Sequence, residues 1–542
     1  MKTDANVDSL QNVYPPSGVD LVYTDVTSLS DPSVRTRKRH DEAGPFLQSP
    51  GLREIARYGG YQAYRPPGIF DSWVFPLMKV FDPDLLSNLR GFTRRGEGID
   101  GMYKSLFNYS ADMTRYTDLS ISQRASMKRA IAKTRDRFKL PVKHQPLDWH
   151  QVGQYMRTDT SAGVTFPGKR KGEVMAEIYG AARWLAHRMK QDGKGKFDPT
   201  RVQMPPCLAG SRGHLSPADD VKTRLVWIYP AEMLVIEGQY APVLYRQYMS
   251  LPDSPLLLGK SAQRLYTEWL VNRVEGEFLV GLDFSSFDTK VPSWLVHTAF
   301  DIIHENIEWE TFDGKKVTRK DRQKWRNVWD AMKWYFINTP ILMPDGRMFR
   351  KYQGVPSGSW FTQLVDSIVN HILVTYIADC QSVEVRGLKV LGDDSAFRSP
   401  QKLDLARAQR DSDALGMILK PEKCEVTEDP TEFKLLGTKY RNSHQHRTDE
   451  EWFKLLLYPE QPPPDIGTSM TRLVGLWLGG AMFSTRFCEF FELFQTSYEC
   501  PTSGWFSKDQ KRWLEIVYGT KAPRGWTVSE SLFWKSIFYV LR

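Results

Sequence analysis

Apolar side chains recur along this chain in two rhythms, and each predicts a different element. Phe278-Leu279-Val280-Gly281-Leu282 is a short apolar run, the pattern of a buried strand. Beyond it, Val296, Phe300, Ile303 and Ile307 recur at helical spacing, and Pro292 is placed to open that helix. Phe361, Leu364, Val365, Ile368, Val369, Ile372 and Leu373 predict a second helix with a wide buried face. Thr362, Asp366 and Asn370 recur every four residues and lay a polar stripe beside that face. A polar stripe on a buried helix needs partners. Leu388 to Leu391 and Ala396-Phe397 flank Gly392-Asp393-Asp394, which predicts a β-hairpin with a tight turn. Lys222 to Tyr229 alternates basic and apolar residues before turning apolar, a strand with Lys222 and Arg224 on one face.

Elsewhere the pattern is looser. Residues 1 to 70 are rich in proline, glycine and polar side chains. Their basic run, Arg35-Thr36-Arg37-Lys38-Arg39-His40, reads more readily as a solvated tail than as a binding arm. Residues 118–144 read as a very basic helix carrying Arg124, Lys128, Arg129, Lys133, Arg135, Arg137 and Lys139. It faces either phosphates or plain solvent. Pro462-Pro463-Pro464 marks a boundary near the start of an aromatic C-terminal region with Trp477, Phe487, Phe490, Phe494, Trp505, Trp513 and Trp534. Most of these read as core. His444 and His446 read as surface residues of a polar loop.

Composition narrows the function classes. At 542 residues the chain can hold roughly three or four domains. Its apolar and charged fractions are those of a soluble globular protein. A net charge of +9 favours a polyanionic partner, nucleic acid first. The cysteines (Cys207, Cys380, Cys424, Cys488, Cys500) form no Cys-x-x-Cys, which argues for a reducing compartment and against structural zinc. The polar start of the chain gives no sign of a secretory signal. The apolar stretch Leu473 to Phe483 is too short to span a bilayer. Gly259-Lys260-Ser261 resembles a P-loop, but Ser254 stands where that loop needs glycine.

The candidate chemistry is carried by carboxylates and cations. Asp393 and Asp394 at one corner repel each other unless a cation sits between them, and such hard oxygen ligands suit Mg²⁺ or Mn²⁺. Asp283 closes the first apolar run and Asp288 follows five residues later. Burying Asp283 beside its strand would be costly without a cation. Lys222 and Arg224 on one strand face suit a triphosphate. Gln353 to Trp360 reads as a tight Gly-Ser loop able to bend around a nucleic-acid backbone. Thr160-Ser161-Ala162-Gly163 begins a loop of small residues followed by Lys169, Arg170 and Lys171, which could bind phosphates. Taken singly, each is also an ordinary turn, cap, edge strand or helix start.

Their order and spacing resemble the core of viral RNA-dependent RNA polymerases over about residues 160 to 440. Asp283-x4-Asp288 looks like motif A, Ser357-Gly358-x3-Thr362 like motif B, and Gly392-Asp393-Asp394 like motif C. Lys222-x-Arg224 resembles motif F and Thr160-Ser161-Ala162-Gly163 motif G. Leu415 to Lys423 resembles motif D, and Phe433-Lys434-Leu435-Leu436-Gly437 motif E. The wording of motif B and the chain length look most like the partitiviruses, with the picobirnaviruses close behind.

The resemblance implies an α+β right-hand fold of fingers, palm and thumb, with an antiparallel palm sheet flanked by helices. It divides the chain into an N-terminal extension (1–70), fingers (71–276), palm (277–304), a fingers insertion (305–350), palm (351–445) and thumb (446–542). It implies that Asp283 and Asp393, with Asp394 assisting, hold two Mg²⁺ ions, with Mn²⁺ as a substitute. One ion would activate the primer 3′-hydroxyl, and both would clamp the α-phosphate and pyrophosphate. Lys222 and Arg224 would neutralise the triphosphate, and Ser357, Gly358 and Thr362 would border the nucleotide. Asp288 would read the ribose 2′-hydroxyl. Lys423, with Lys420 as fallback, would be the general acid. Thr160, Ser161, Gly163, Lys169 and Arg170 would touch template RNA. Relatives often carry Asn where Asp366 stands, so sugar sensing falls to either Asp366 or Asn370. The implied partners are RNA template and product, NTPs and viral capsid protein, with no membrane, inside the virion and in host cytoplasm. Initiation is expected to need no primer. A reverse transcriptase and a non-enzymatic RNA-binding structural protein are the rivals.

Overall fold

A computed structural model of the chain describes residues 46–63, 70–193, 195–258, 273–312, 314–436, 438–441 and 444–498. The basic run at 35–40, Gly259-Lys260-Ser261, Gly437, Cys500, Trp505, Trp513 and Trp534 lie outside these residues.

At the centre lies the helix Thr362–Cys380, buried on nearly every side from Leu364 to Ala378. A helix buried on every side is a core element, and the polar side chains it carries need partners inside. Against it pack the helices Ile121–Arg137 and Ser293–His304 and the predicted hairpin, Arg386–Leu391 with Asp394–Ser399. The hairpin continues through Phe278–Gly281 to Glu425–Thr427, giving an antiparallel four-stranded sheet. Val296, Phe300, Ile303 and Ile307 are all fully buried, as their spacing requires.

A second sheet has five strands, in the order Leu52–Arg57, Arg347–Lys351, Pro340–Leu342, Cys207–Gly213, Thr223–Ile228. It places Leu52–Arg57, from a segment that reads as an extension, beside strands some 290 residues away; Glu54 pairs there with Arg347 at 2.7 Å. The basic helix is capped by a reciprocal Ser120–Gln123 box. Several of its cations are spent inside the molecule: Arg129 and Lys133 pair with Asp379, Arg135 with Glu305, and Arg137 with Asp253.

A separate core joins residues 74–89 to residues 449–497. The helices Val74–Phe81 and Pro83–Leu89 pack on Asp449–Leu457, Ile466–Leu478 and Thr485–Ser497 around Met78, Phe453, Leu473, Phe487, Phe490 and Phe494. The Pro462-Pro463-Pro464 run separates two helices of this unit instead of preceding it. His444 and His446 belong to a short strand, His444–His446, paired with Thr438–Arg441, and not to a loop. The described cysteines are all free.

Candidate active site

The hairpin turn delivers Asp393 and Asp394. Leu391 pairs directly with Asp394, so Gly392 and Asp393 form a two-residue turn, and Gly392 takes a φ of +62°. Asp393, in the turn, lines the cleft, whereas Asp394, the first residue of the return strand, does not. Behind the turn, Ser367 and Asn370 of the central helix hold its main chain.

Asp283 follows the strand Phe278–Gly281, one strand from the hairpin. It is exposed and lines the cleft, because the strand ends before it. Its main chain is clamped: its N–H meets Cys424 Sγ at 3.3 Å, and its carbonyl accepts from Lys420 N at 3.1 Å. That pairing brings Lys423 to the cleft wall, whereas the Lys420 side chain is not part of the lining. Ser286, at φ +53°, turns the chain so that Asp288 re-enters the cleft in the short helix Phe287–Lys290. The Asp288 carbonyl accepts from Val355 N at 2.6 Å, which ties it to the Gly-Ser loop.

The opposite wall is basic. Lys222 and Arg224 are exposed and both line the cleft, an open space of about 920 Å³. Arg212 stands directly across the strand pair from Arg224 and lines it too. Like charges directly opposite are unfavourable in a sheet unless something negative meets them. Arg212 pairs with Glu460.

The loop before the central helix is built on close contacts. A β-carbon on Gly358 would meet the Trp227 carbonyl at 1.9 Å, so only glycine fits. Ser357 lines the cleft and its Oγ accepts from Trp227 N at 3.2 Å. Thr362 is turned inward and donates to the Pro356 carbonyl at 2.6 Å. Ser359 Oγ and Trp360 N both donate to the buried Glu237, whose carboxyl burial pushes up to about 7. Lys351 is fully buried, with its ammonium spent on the carbonyls of Phe336, Ile337 and Gly354. Asp366 is buried near Asp288 and Asp393, and its Oδ1 has no hydrogen-bond partner.

Asp283, Asp288, Asp393, Lys222, Arg224, Ser357 and Lys423 therefore share one cleft. Thr160, Ser161, Gly163, Lys169 and Arg170 do not line it; they form a neighbouring hairpin closed by Lys171, whose Nζ donates to Thr160 Oγ1 at 2.6 Å. Gly358, Thr362, Asp366 and Asn370 lie behind the lining. Sequence reasoning missed Arg212, Glu237 and Lys351. Arg212 is one of many scattered arginines, and the other two are buried charges that no periodicity marks.

The carboxylates disturb one another. Burial and the neighbouring Asp393 push Asp288 up to about 6, with Arg224 opposing. Burial, Asp393 and Asp283 push Asp394 up to about 6. Among the described residues these aspartates make no ion pair with lysine or arginine. Their hard oxygens fit a divalent cation. No three metal-binding side chains converge into a ready cage among the described residues.

A raised carboxyl binds its proton more tightly folded than unfolded, so Asp288 costs stability increasingly as pH rises from about 4 to about 6, and fully above that. In chelator, Asp288→Asn should stabilise the protein by about 3 kcal/mol at pH 7.5 and by less than about 1 kcal/mol at pH 4. Thermal melting across this range checks it. A gain independent of pH would contradict it.

Residues 76–495 match the family model described as viral RNA-dependent RNA polymerase. The chain belongs to this family. It is 32% identical over 257 residues to the RNA-directed RNA polymerase of Cryptosporidium parvum virus 1, covering 45% of this chain and 44% of that one. With the RNA-directed RNA polymerase of White clover cryptic virus 1 it shares 26% over 286 residues, covering 47% and 46%. The matched stretch is thus under half of either relative. The polymerase of a human picobirnavirus superposes with a TM-score of 0.54 at 15% identity, over 80% of this chain and 85% of that one. An insertion-loop deletion form gives 0.53 at 16%, over 80% and 87%. The expected right-hand polymerase fold of mixed α and β elements is therefore present, and the four-stranded antiparallel sheet is where this polymerase-family chain carries its aspartates.

Proposed function

We propose that this chain is a template-directed RNA polymerase that joins NTPs on an RNA template, replicating and transcribing a viral RNA genome. The observation that carries the reading is the cleft itself: Asp283, Asp288 and Asp393 share it with Lys222, Arg224 and Lys423. Acid suited to cations and base suited to a triphosphate share one open space.

Two divalent cations, Mg²⁺ or Mn²⁺, held by Asp283 and Asp393 with Asp394 assisting, would supply charge stabilisation and nucleophile activation. Lys222 and Arg224 receive the triphosphate. Lys423 is the proton donor to the leaving pyrophosphate. Ser357 borders the nucleotide, and Asp288 accepts from the ribose 2′-hydroxyl. The loop at Thr160, Ser161 and Gly163, with Lys169 and Arg170, guides the template. Within this reading the five-stranded sheet belongs to the fingers, the four-stranded sheet to the palm, and the helices after residue 446 to the thumb. RNA template and product, NTPs and viral capsid protein are the partners, within the virion and the host cytoplasm. No described helix is long and apolar enough to cross a membrane.

The test is labelled-nucleotide incorporation on single-stranded RNA with NTPs or dNTPs. NTP-dependent product is expected. Asp288→Ala should cut the preference for NTP over dNTP by about 10- to 100-fold, the worth of a hydrogen bond to a charged group. Product from dNTPs alone would point to a reverse transcriptase, and an unchanged preference would remove Asp288 from sugar reading.

A further inference from the structure

The turn that carries Asp393 is held from behind by one face of the central helix. Gln363, Ser367 and Asn370 stand at positions i, i+4 and i+7 of that face. The Gly392 N–H donates to Ser367 Oγ at 2.9 Å. The same hydroxyl donates its own proton to the Gln363 carbonyl at 2.6 Å, so both of its roles are filled. Asn370 Nδ2 donates to the carbonyls of Gly392 at 2.9 Å and Asp394 at 3.0 Å. Main-chain atoms on both sides of Asp393 therefore end on two side chains of one rigid helix. Both side chains are completely buried. The contact is tight: a β-carbon on Gly392 would lie 2.8 Å from Gln363 Nε2.

Asn370 thus has no amide hydrogen left for a sugar hydroxyl, and only its buried Oδ1 is without a partner among the described residues. Resting on the polymerase reading above, we propose that Ser367 and Asn370 are positioning residues that set where Asp393 stands relative to Asp283. They govern how well the carboxylates take up a divalent cation, and they do not touch the nucleotide. Asp366, one turn earlier, is left as the residue of the stripe near Asp288.

The test uses the full chain with Asn370→Asp, Asn370→Ala and Ser367→Ala. Asn370→Asp keeps the volume and turns the donor into a carboxylate facing two carbonyls, so it separates packing from hydrogen bonding. Three readouts are taken: binding of Mn²⁺ alone by electron paramagnetic resonance, hydrogen exchange of the 386–399 hairpin, and steady-state kinetics with NTP and dNTP. The expected result is Mn²⁺ binding weakened by about 10- to 100-fold, the usual effect of losing a group that orients a metal ligand. Faster hairpin exchange and a similar fall in kcat should accompany it, with KM for NTP and the NTP/dNTP ratio unchanged. Ser367→Ala should show the same pattern more weakly. Wild-type Mn²⁺ binding and exchange in Asn370→Asp would overturn the proposal. So would a collapse of NTP/dNTP discrimination with Mn²⁺ binding intact, which would return Asn370 to sugar sensing. If the wild-type chain incorporates no nucleotide at all, the polymerase reading fails, while exchange and Mn²⁺ binding still decide the positioning claim.

Discussion

Replacing Asp393 with asparagine should lower nucleotide incorporation on the order of 10³-fold while the protein remains folded. Asp393 sits at the tip of a two-residue turn, lines the cleft, and faces the charge of Asp283. Asparagine keeps the size and removes the charge, so the loss reads electrostatics and not packing. Asp394 supplies the internal comparison. It begins the return strand and does not line the cleft. Asp394→Asn should therefore cost less, about tenfold. Single-turnover rates at saturating NTP and Mg²⁺ measure both. Equal losses in the two variants would mean that the turn presents both carboxylates to the chemistry. A loss below tenfold in Asp393→Asn would remove Asp393 from the metal site.

The second large effect is on stability. Asp71 is completely buried, and its carboxylate accepts from Trp73 N at 3.0 Å, Val74 N at 3.2 Å and Ser469 Oγ at 2.9 Å. Arg472 Nη1 completes the set at 2.5 Å. This one side chain starts the helix Val74–Phe81 and fastens it to the helix Ile466–Leu478, almost 400 residues away. Asp71→Ala leaves the largely buried Arg472 without its counter-charge, a change that costs about 3–5 kcal/mol. Trp73, Trp452 and Trp477 lie in or against the same core, so denaturant unfolding followed by tryptophan fluorescence reads the unit directly. A midpoint within 1 kcal/mol of wild type would mean that the aromatic packing holds the two ends together without the ion pair.

The four-stranded sheet and the central helix were legible because their signals are local. A glycine and an aspartate between two apolar runs specify a hairpin, and an apolar run ending in Asp283 specifies a strand with a carboxylate at its mouth. The central helix announces itself by spacing alone. What stayed hidden is long-range. Nothing in Leu52–Arg57 says that it pairs with Arg347–Lys351, and nothing in Val74–Leu89 says that it packs against Phe487 and Phe490. Exposure at Asp283 was not legible, since whether the residue beyond a strand's end is covered depends on what crosses above it. The stripe Thr362, Asp366, Asn370 was correctly seen to need partners, but its partners are main-chain carbonyls for Thr362 and Asn370. Backbone acceptors leave no mark in a sequence. Arg129, Lys133, Arg135 and Arg137 look like a phosphate-binding face until the acids that neutralise them are brought in from Asp253, Glu305 and Asp379.

The central claim is that the cleft copies a template. The most direct measurement supplies the full chain with Mg²⁺ or Mn²⁺, all four NTPs, and either poly(C) or poly(U), and identifies the nucleotide incorporated. GTP on poly(C) and ATP on poly(U), in each case to the exclusion of the others, is the predicted result. Incorporation that ignores the template would contradict the claim, as would folded, RNA-binding protein that makes no product with either metal.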